Sequence, residues 1–302
     1  MSESYEKCKI CPRECGVDRS KGQFGRCRSG DKIKAARAAL HMWEEPCISG
    51  AEGSGAVFFS GCSLGCIFCQ NKEISEGKAG IEIPVERLAE IFLELEEQGA
   101  NNINLVTAGH FLPHIVRGIE LSRNQGLHLP IVYNSSGYEK VDMIKMLEGY
   151  VDIYLPDFKY MSSETAAAYS QASDYPGYAK LAVEEMVRQQ PVLKFDERGM
   201  MKCGVIVRHM LMPGHVKEAC QVVDYLYHTY KEQIYISLMS QYTPMNDQFQ
   251  DSRLNRKVTR REYRRLIDYA CELGITQGFW QEGKTAEESF IPAFDGEGII
   301  KI

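Results

Sequence analysis

Short apolar runs alternate with longer segments of helical periodicity along most of this chain. The apolar runs predict six strands, at 56–60, 102–106, 130–133, 151–155, 203–208 and 234–238. A helix is predicted after each strand, at 84–99, 111–125, 138–149, 177–190, 214–230 and 258–272. Pro84 and Gly99 mark the start and the end of the first of these helices. Such strand–helix repeats predict parallel strands joined by right-handed crossovers, and therefore an α/β fold.

The repeats leave both ends of the chain outside the main domain. A closed TIM barrel has eight strand–helix units, so six units predict an open, partial (β/α)6 barrel. We expect this barrel to span residues 51–275. Residues 1–50 are predicted to form a small cysteine-rich, metal-binding knuckle, and residues 276–302 a tail that packs on the barrel.

Composition narrows the class of protein. The chain has 302 residues, 44% of them apolar, which is enough for a full-sized core. Its net charge of -6 argues against a general nucleic-acid binder or a protein of anionic membranes. No stretch approaches the roughly 20 apolar residues of a membrane span, and the first residues lack the apolar region of a secretory signal. Eleven cysteines, an odd number, favour a reducing cytoplasm over a disulfide framework.

A dense cysteine motif follows the first predicted strand. Cys62, Cys66 and Cys69 stand in a C-x3-C-x2-C pattern within GCSLGCIFCQN. Three cysteines can ligate a [4Fe–4S] cluster and leave its fourth iron open to a small molecule. The alternatives are a zinc half-site or buried structural thiols. Zinc ribbons space their cysteines as pairs separated by a long insert, so the spacing here favours the cluster.

A second group of cysteines lies near the N-terminus. Cys8, Cys11, Cys15 and Cys27 form a C-x2-C-x3-C-x11-C pattern in a segment too short for a core of its own. Four cysteines suit a closed, structural zinc site, which is our first expectation. They also suit a fully ligated auxiliary iron–sulfur cluster, and the remaining alternative is that only some of them bind a metal.

Polar residues follow every predicted strand. In parallel α/β barrels the loops after the strands converge on one mouth, where function is located. The candidates there are Thr107, Ala108, Gly109, His110, Asn134, Ser135, Ser136, Asp157, Lys159, Arg208 and Tyr242. Taken singly, each has a structural alternative: a helix cap for residues 134–137, an internal ion pair for Asp157 and Lys159, a buried histidine for His110.

The cysteine motif resembles that of the radical S-adenosylmethionine (SAM) superfamily, which reads C-x3-C-x-aromatic-C, with Phe68 in the aromatic position. The longer run from Glu45 to Asn71 is similar to pyruvate formate-lyase activating enzymes. The resemblance implies a partial barrel, a [4Fe–4S] cluster and SAM. It further implies an electron from flavodoxin or ferredoxin, a 5′-deoxyadenosyl radical, and a glycyl radical enzyme as the partner that loses a hydrogen atom.

The same resemblance implies SAM contacts from Phe68 and the strand-end residues. Residues 107–110 correspond to a glycine-rich strand end that receives the SAM amino group, but without the acidic residue common there. Residues 134–137 correspond to a D-T-N-G segment, with Asn134 in place of the acid. Residues 157–159 correspond to D-L-K, Arg208 to an arginine that holds SAM, and Tyr242 to a position near a usual histidine.

Two other functions fit the sequence. One is radical modification of a different peptide or of a small metabolite. The other is a metal-dependent interaction protein that does not turn over SAM.

Overall fold

A ten-stranded, mostly parallel sheet forms the centre of the protein. The computed structural model describes residues 3–245, 249–280 and 291–301. The strands are β1 (Ile33–His41), β2 (Ser54–Phe59), β3 (Ile81–Ile83), β4 (Ile103–Val106), β5 (Ile131–Ser135), β6 (Ile153–Pro156), β7 (Lys194–Phe195), β8 (Met201–Met210), β9 (Tyr235–Met239) and β10 (Gly278–Trp280).

The spatial order of the strands is β10-β9-β8-β6-β5-β4-β2-β1-β3, with β7 paired to β8. Every neighbouring pair from β2 to β10 is parallel. The strands β1 and β3 continue the sheet beyond β2 in antiparallel pairing. The sheet is thus open, as expected for a partial barrel.

Ten α-helices lie in the described part of the chain, and most of them follow a strand of the sheet. They are α1 (Glu3–Glu6), α2 (Pro46–Ser49), α3 (Lys72–Ser75), α4 (Val85–Glu97), α5 (Leu112–Asn124), α6 (Val141–Lys145), α7 (Ser163–Ser170), α8 (Tyr175–Gln189), α9 (Val216–Tyr230) and α10 (Arg260–Glu272). In α4 the buried residues Leu88, Ile91, Phe92 and Leu95 recur at helical spacing and face the core.

Every residue of β2, β4, β5 and β6 is buried. Parallel strands covered on both faces read as continuous apolar runs, which explains why the sequence revealed them. All six predicted strands are present. The third predicted helix, 138–149, is wrong in its extent, because α6 is only five residues long and its segment continues as turns.

Sequence reasoning missed the strands at the ends of the sheet. Strand β1 lies within the segment 1–50 and pairs with β2 through six residue pairs. Four of its nine residues are alanine and it has no partner helix, so the strand–helix rule does not reveal it. Strand β10 adds a seventh parallel strand next to β9, from the segment 276–302.

The described C-terminal residues pack against β1 and α4. The amide of Ala38 donates to the carbonyl of Glu297 at 2.8 Å, and Arg87 Nε donates to the carbonyl of Ile299 at 2.9 Å. Ile299 is fully buried. None of the helices in the described part of the chain has the length and apolar character needed to cross a bilayer.

Candidate functional site

The three cysteines of the C-x3-C-x2-C motif line one cavity of about 260 Å³. We call the segment that carries them, residues 60–70, the cluster loop, and this space the inner cavity. The loop leaves β2 at the edge where the parallel strands end. Burial, together with the neighbouring Cys66 and Cys69 thiols, raises the pKa of Cys62 to about 12. Such a thiol becomes a thiolate when a positively charged centre binds it.

The donor set of the cluster loop fits an iron–sulfur cluster better than a single metal ion. Among the described residues, no group of three or more His, Cys, Asp or Glu side chains surrounds a point suited to one metal ion. A cubane cluster offers each cysteine its own iron, so its ligands stand further apart than those of one tetrahedral ion. Three thiols facing one cavity satisfy that requirement.

Most of the predicted strand-end residues line the inner cavity with the cysteines. Those that do are Phe68, Thr107, Asn134, Ser135, Ser136, Asp157, Lys159 and Arg208. They come from the cluster loop and from the ends of four parallel strands. The structure therefore brings together, in one place, residues spread over more than a hundred positions of sequence.

Four predicted residues are not among those that line the inner cavity: Ala108, Gly109, His110 and Tyr242. After Thr107 the chain turns into a short 3-10 helix, Gly109–Phe111, which buries all three of its residues. His110 Nε2 lies 2.8 Å from the carbonyl oxygen of Ser60, and burial lowers its pKa to about 3. Tyr242 is buried, and its hydroxyl donates to the carbonyl of Leu254. These residues support the cavity wall.

Thr107 is held in an unusual backbone conformation at the cavity. Its φ is 60°, a value that β-branched residues rarely adopt. The amide of Thr107 donates to the carbonyl of Asn134 at 2.9 Å, which extends the pairing of β4 and β5 by one residue. Strained residues of this kind concentrate at functional sites.

A buried network of charged and amide side chains forms the base of the inner cavity. Arg208 donates to Glu44 at 2.9 Å, to Asp157 at 2.8 Å and to Asn134 at 2.6 Å. Lys159 donates to the other carboxylate oxygen of Asp157 at 2.6 Å. We call Glu44, Asn134, Asp157, Lys159 and Arg208 the polar floor.

The polar floor keeps its charges despite burial. Burial alone would raise the pKa of Asp157, but the nearby Arg208 and Lys159 outweigh it and hold that pKa below its ordinary value. Burial would likewise lower the pKa of Lys159, but the neighbouring Asp157 and Cys66 outweigh it and raise that pKa. The shifts of these two pKa values keep Asp157 negatively and Lys159 positively charged beside the cavity.

Sequence reasoning missed Glu44, although its carboxylate is central to the polar floor. Glu44 also accepts hydrogen bonds from Asn104 at 3.0 Å and from Asn134 at 3.3 Å. It follows β1, which runs antiparallel to its neighbour, so it approaches the inner cavity from the end opposite to the strand-end residues.

The N-terminal cysteine segment, residues 8–27, packs against the cluster loop. Cys8, Cys11 and Cys27 are buried, whereas Cys15 is exposed. A β-carbon placed on Gly25 would lie 3.2 Å from Cys15 Sγ and 3.4 Å from Cys27 Sγ, so these two thiols are near each other. Burial raises the pKa of Cys11 to about 12 and raises that of Cys27 as well. Metal binding by these four residues stays a prediction.

Arg13, between two of these cysteines, fastens the N-terminal cysteine segment to the cluster loop. Its guanidinium donates to the carbonyls of Ser63 and Leu64, each at 3.0 Å. It also donates to the carbonyls of Ser170, at 2.7 Å, and Gln171 at the end of α7. The same group lies over the ring of Tyr138, 5.1 Å from its centre. We call these four hydrogen bonds the Arg13 clamp.

Gly61, near the start of the cluster loop, is closely packed against the N-terminal cysteine segment and His110. Gly61 has a φ of 95°, and a β-carbon there would lie 2.5 Å from the carbonyl oxygen of Cys27 and 3.0 Å from His110 Nε2. Only glycine satisfies both constraints. Arg19 is fully buried and donates to the carbonyl of His110 at 2.8 Å. This hydrogen bond holds His110 in place beside Gly61.

Comparison with known proteins identifies the family of this chain. A sequence profile of the Radical SAM superfamily matches residues 56–226, more than half of the chain. The chain belongs to the radical SAM superfamily. Members of this superfamily bind SAM and a [4Fe–4S] cluster, so membership implies both cofactors here. The match includes the cluster loop and the ends of β4, β5, β6 and β8.

Similarity to individual proteins is low in sequence identity. The chain is 26% identical over 275 residues to Uncharacterized protein MJ0674 of Methanocaldococcus jannaschii, covering 88% of this chain and 75% of that protein. Streptococcus suis SuiB is similar in structure, with a TM-score of 0.48, 15% identity and 77% of this chain covered. SuiB bound to S-adenosylmethionine gives a TM-score of 0.45 at 12% identity, covering 74% of this chain. This chain spans about half the length of SuiB.

A buried carboxyl beside the cavity wall leads to a testable pH effect. Burial raises the pKa of Glu139 from 4.5 to about 8. Because the folded protein binds this proton more tightly than the unfolded chain, the proton's contribution to stability is lost as pH rises between those two values. We expect Glu139→Gln to remove up to about 1.4 kcal/mol per pH unit from the pH dependence of unfolding in that window.

The measurement is urea denaturation at pH 5, 6, 7 and 8, followed by circular dichroism. The matched control is Glu97→Gln, since Glu97 is exposed at the end of α4. Parallel pH profiles for wild type and Glu139→Gln would contradict the prediction.

Proposed function

We propose that this chain is a radical SAM enzyme that abstracts a hydrogen atom from a glycine of a partner glycyl radical enzyme. The inner cavity, lined by the three cysteines and the polar floor, supports the SAM-dependent part of the proposal. The glycine substrate rests on the similarity of residues 45–71 to pyruvate formate-lyase activating enzymes. When bound, the reduced cluster supplies the electron that cleaves SAM into methionine and a 5′-deoxyadenosyl radical, which takes a hydrogen atom from the substrate.

In this proposal the residues of the chain bind, orient and exclude water. Cys62, Cys66 and Cys69 hold three of the four irons. The positive charges of the polar floor, on Lys159 and Arg208, suit the carboxylate of an amino acid such as the methionine part of SAM. Hydroxyl and amide groups at the end of β5, on Ser135, Ser136 and Asn134, suit a ribose.

Loss of one cluster ligand tests the reaction. We expect Cys66→Ala to lower SAM cleavage to the background without enzyme, because a cubane bound by two cysteines is neither retained nor positioned. The measurement is 5′-deoxyadenosine formed under dithionite in anaerobically reconstituted protein. Cys271→Ala, an exposed cysteine outside the site, is the control and should keep wild-type turnover. Wild-type amounts of 5′-deoxyadenosine from Cys66→Ala would contradict the proposed function.

We further propose that Cys8, Cys11, Cys15 and Cys27 bind one structural zinc ion. Support comes from their spacing and enclosure: three of the four are buried in a segment that has few apolar residues of its own. In the described structure the four thiols do not surround a single point, so the proposed ion would have to draw them together. After anaerobic reconstitution, we expect a variant with Cys62, Cys66 and Cys69 all changed to Ala to lose its iron and sulfide and keep about one zinc. Iron and sulfide retained by that variant would instead assign an auxiliary iron–sulfur cluster to the N-terminal cysteines.

The choice of a protein substrate is tested with the partner present. An anaerobic lysate that contains the enzyme, SAM and a reductant is expected to develop a glycyl radical, which low-temperature EPR detects. The Cys66→Ala variant in the same lysate provides the blank. SAM cleavage without a glycyl radical would favour the alternative hypothesis, in which the substrate is a different peptide or a small metabolite. We place this chemistry in the reducing cytoplasm, together with a flavodoxin or ferredoxin.

A further inference from the structure

The cluster loop separates two cavities. Its inner side faces the inner cavity, and its other side forms the base of a larger one, of about 860 Å³, which we call the outer cavity. Cys62 and Cys66 line both spaces. Gly65 and Ile67, which flank Cys66 in the chain, are exposed on the outer side. The cluster ligands are therefore approachable from a direction that does not pass through the inner cavity.

Positive side chains surround the outer cavity. Arg26, Arg28, Lys72 and Arg253 line it, and all four are exposed. In the part of the chain that the structure describes, neither Arg26 nor Arg28 forms an ion pair with a carboxylate. The φ of Arg28 is 62°, a conformation that costs free energy in any residue with a side chain, so its position is imposed by the fold.

The carboxylates of the outer cavity are mostly neutralised by cations. Asp251 forms an ion pair with Arg253 at 2.6 Å. Glu76 forms one with Lys78 at 2.6 Å and a longer one with Lys72 at 3.9 Å. Glu164 is the third carboxylate in the lining. Four cations against three carboxylates make this rim positive, on a chain whose net charge is -6.

Exposed apolar groups accompany the charges. The side chain of Ile67 is 39% exposed on the cluster loop itself. Phe24, two residues before Arg26 in the chain but not among the residues that line the outer cavity, is 67% exposed and is the most exposed large apolar residue of the described chain. Small apolar contacts surrounded by charge are typical of weak, transient complexes, in which opposite charges steer the encounter.

We propose that the outer cavity is the docking surface for an acidic one-electron carrier protein, which reduces the cluster through the outer side of the cluster loop. The inference rests on the proposed function, since only a chain that holds the cluster needs the electron. It adds the face on which the carrier binds. In the proposed function the inner cavity takes SAM and the substrate, so a carrier on the outer side could bind while both are present.

The test compares reduction by a protein with reduction by a small molecule. The probe is an acidic flavodoxin in its hydroquinone form, mixed with the oxidised, reconstituted enzyme in an anaerobic stopped-flow instrument. Loss of the cluster's visible absorbance gives the second-order rate constant. The test variant carries Arg26→Glu and Lys72→Glu. The control carries Arg261→Glu and Arg264→Glu, which make the same charge change on the exposed face of α10.

We expect the test variant to react about tenfold more slowly with flavodoxin at low ionic strength, and the difference to shrink as salt is added. The control variant should react at the wild-type rate. Photoreduction by 5-deazariboflavin, an uncharged reductant, should be equal in all three proteins. If photoreduction is slower in the test variant, a second variant, Arg26→Gln with Lys72→Gln, takes its place. This second variant must react more slowly with flavodoxin and at the wild-type rate with 5-deazariboflavin.

Two results would overturn the docking surface while leaving the proposed function intact. One is an equal flavodoxin rate for wild type and test variant, and the other is an equal loss of rate in test and control variants. Absence of a cluster reducible by 5-deazariboflavin in the wild-type protein would overturn the proposed function, and the docking surface with it.

Discussion

Replacing Arg208 with methionine is expected to cost about 3–5 kcal/mol of unfolding free energy, the range found when one partner of a buried ion pair is removed. Arg208 is the cation that joins Glu44 to Asp157 within the polar floor. Methionine fills a similar volume but leaves the carboxylate of Glu44 buried without its only ion-pair partner in the described chain. Guanidinium denaturation of the metal-free protein, followed by circular dichroism, measures the change.

Arg37→Met is a matched control, because Arg37 also joins two carboxylates. Its partners, Asp295 and Glu297, have side chains that are more than half exposed to solvent. Exposed ion pairs contribute little, so we expect a loss of no more than about 1 kcal/mol. The prediction for Arg208 fails if the two variants lose the same stability.

The same substitution should also affect SAM. With the cation of Arg208 absent, we expect weaker binding of SAM to the reconstituted Arg208→Met variant, measured by equilibrium dialysis. The Arg37→Met variant should bind SAM as the wild type does. This second measurement separates a role of Arg208 in SAM binding from a role in folding alone. An Arg208→Met variant that folds and binds SAM as tightly as the wild type would exclude a role in SAM binding.

Replacing Arg13 with alanine is expected to lower stability by about 2–4 kcal/mol and to weaken retention of the cluster. Each hydrogen bond from a charged group contributes about 1.5–3 kcal/mol, but contributions that share one side chain do not add fully. The Arg13 clamp holds the carbonyls of Ser63 and Leu64, which lie between the first two cysteines of the cluster loop. Without it, the cluster loop gains freedom, and ligation of the cluster has to overcome the corresponding entropy.

Two measurements test the Arg13 clamp: urea denaturation, and the rate at which a chelator removes iron from the reconstituted protein. Arg13→Lys should recover only part of both, since an ammonium group cannot present the planar set of donors that reaches four carbonyls. Arg117→Ala, which removes an exposed ion pair with Glu120 on α5, should change stability by about 0.5 kcal/mol or less. Iron release at the wild-type rate from Arg13→Ala would contradict a role in holding the loop.

Neither Arg13 nor Glu44 could be recognised from the sequence. Both lie in segments without hydrophobic periodicity, and both act on residues at least fifty positions away. A sequence pattern identifies a residue by its neighbours in the chain, whereas these two side chains are defined by what they meet in space. Arg13 lies between Cys11 and Cys15, and the cysteine spacing predicts a metal site but says nothing about the side chain between them.

The rule that residues following parallel strands line one site predicted correctly for residues at a strand end. It was less accurate for residues three or four positions past the strand. Asp157 and Arg208 lie in or next to β6 and β8, and both face the inner cavity. Gly109 and His110 follow β4 by only three or four residues, but the chain has already turned into the wall there. The direction of a side chain after a strand depends on the loop, and loop geometry leaves little trace in apolar periodicity.

The sequence by itself determined six of the seven parallel strands in their chain order, most of the helices between them and the position of the cluster loop. Those properties are local, because periodicity and cysteine spacing act within a few turns of helix or one strand. Only the tertiary structure decided which polar groups face the cavity, how Arg13 ties the N-terminal cysteine segment to the cluster loop, and where the outer cavity lies. These depend on contacts between segments far apart in sequence, whose free energies no single segment contains.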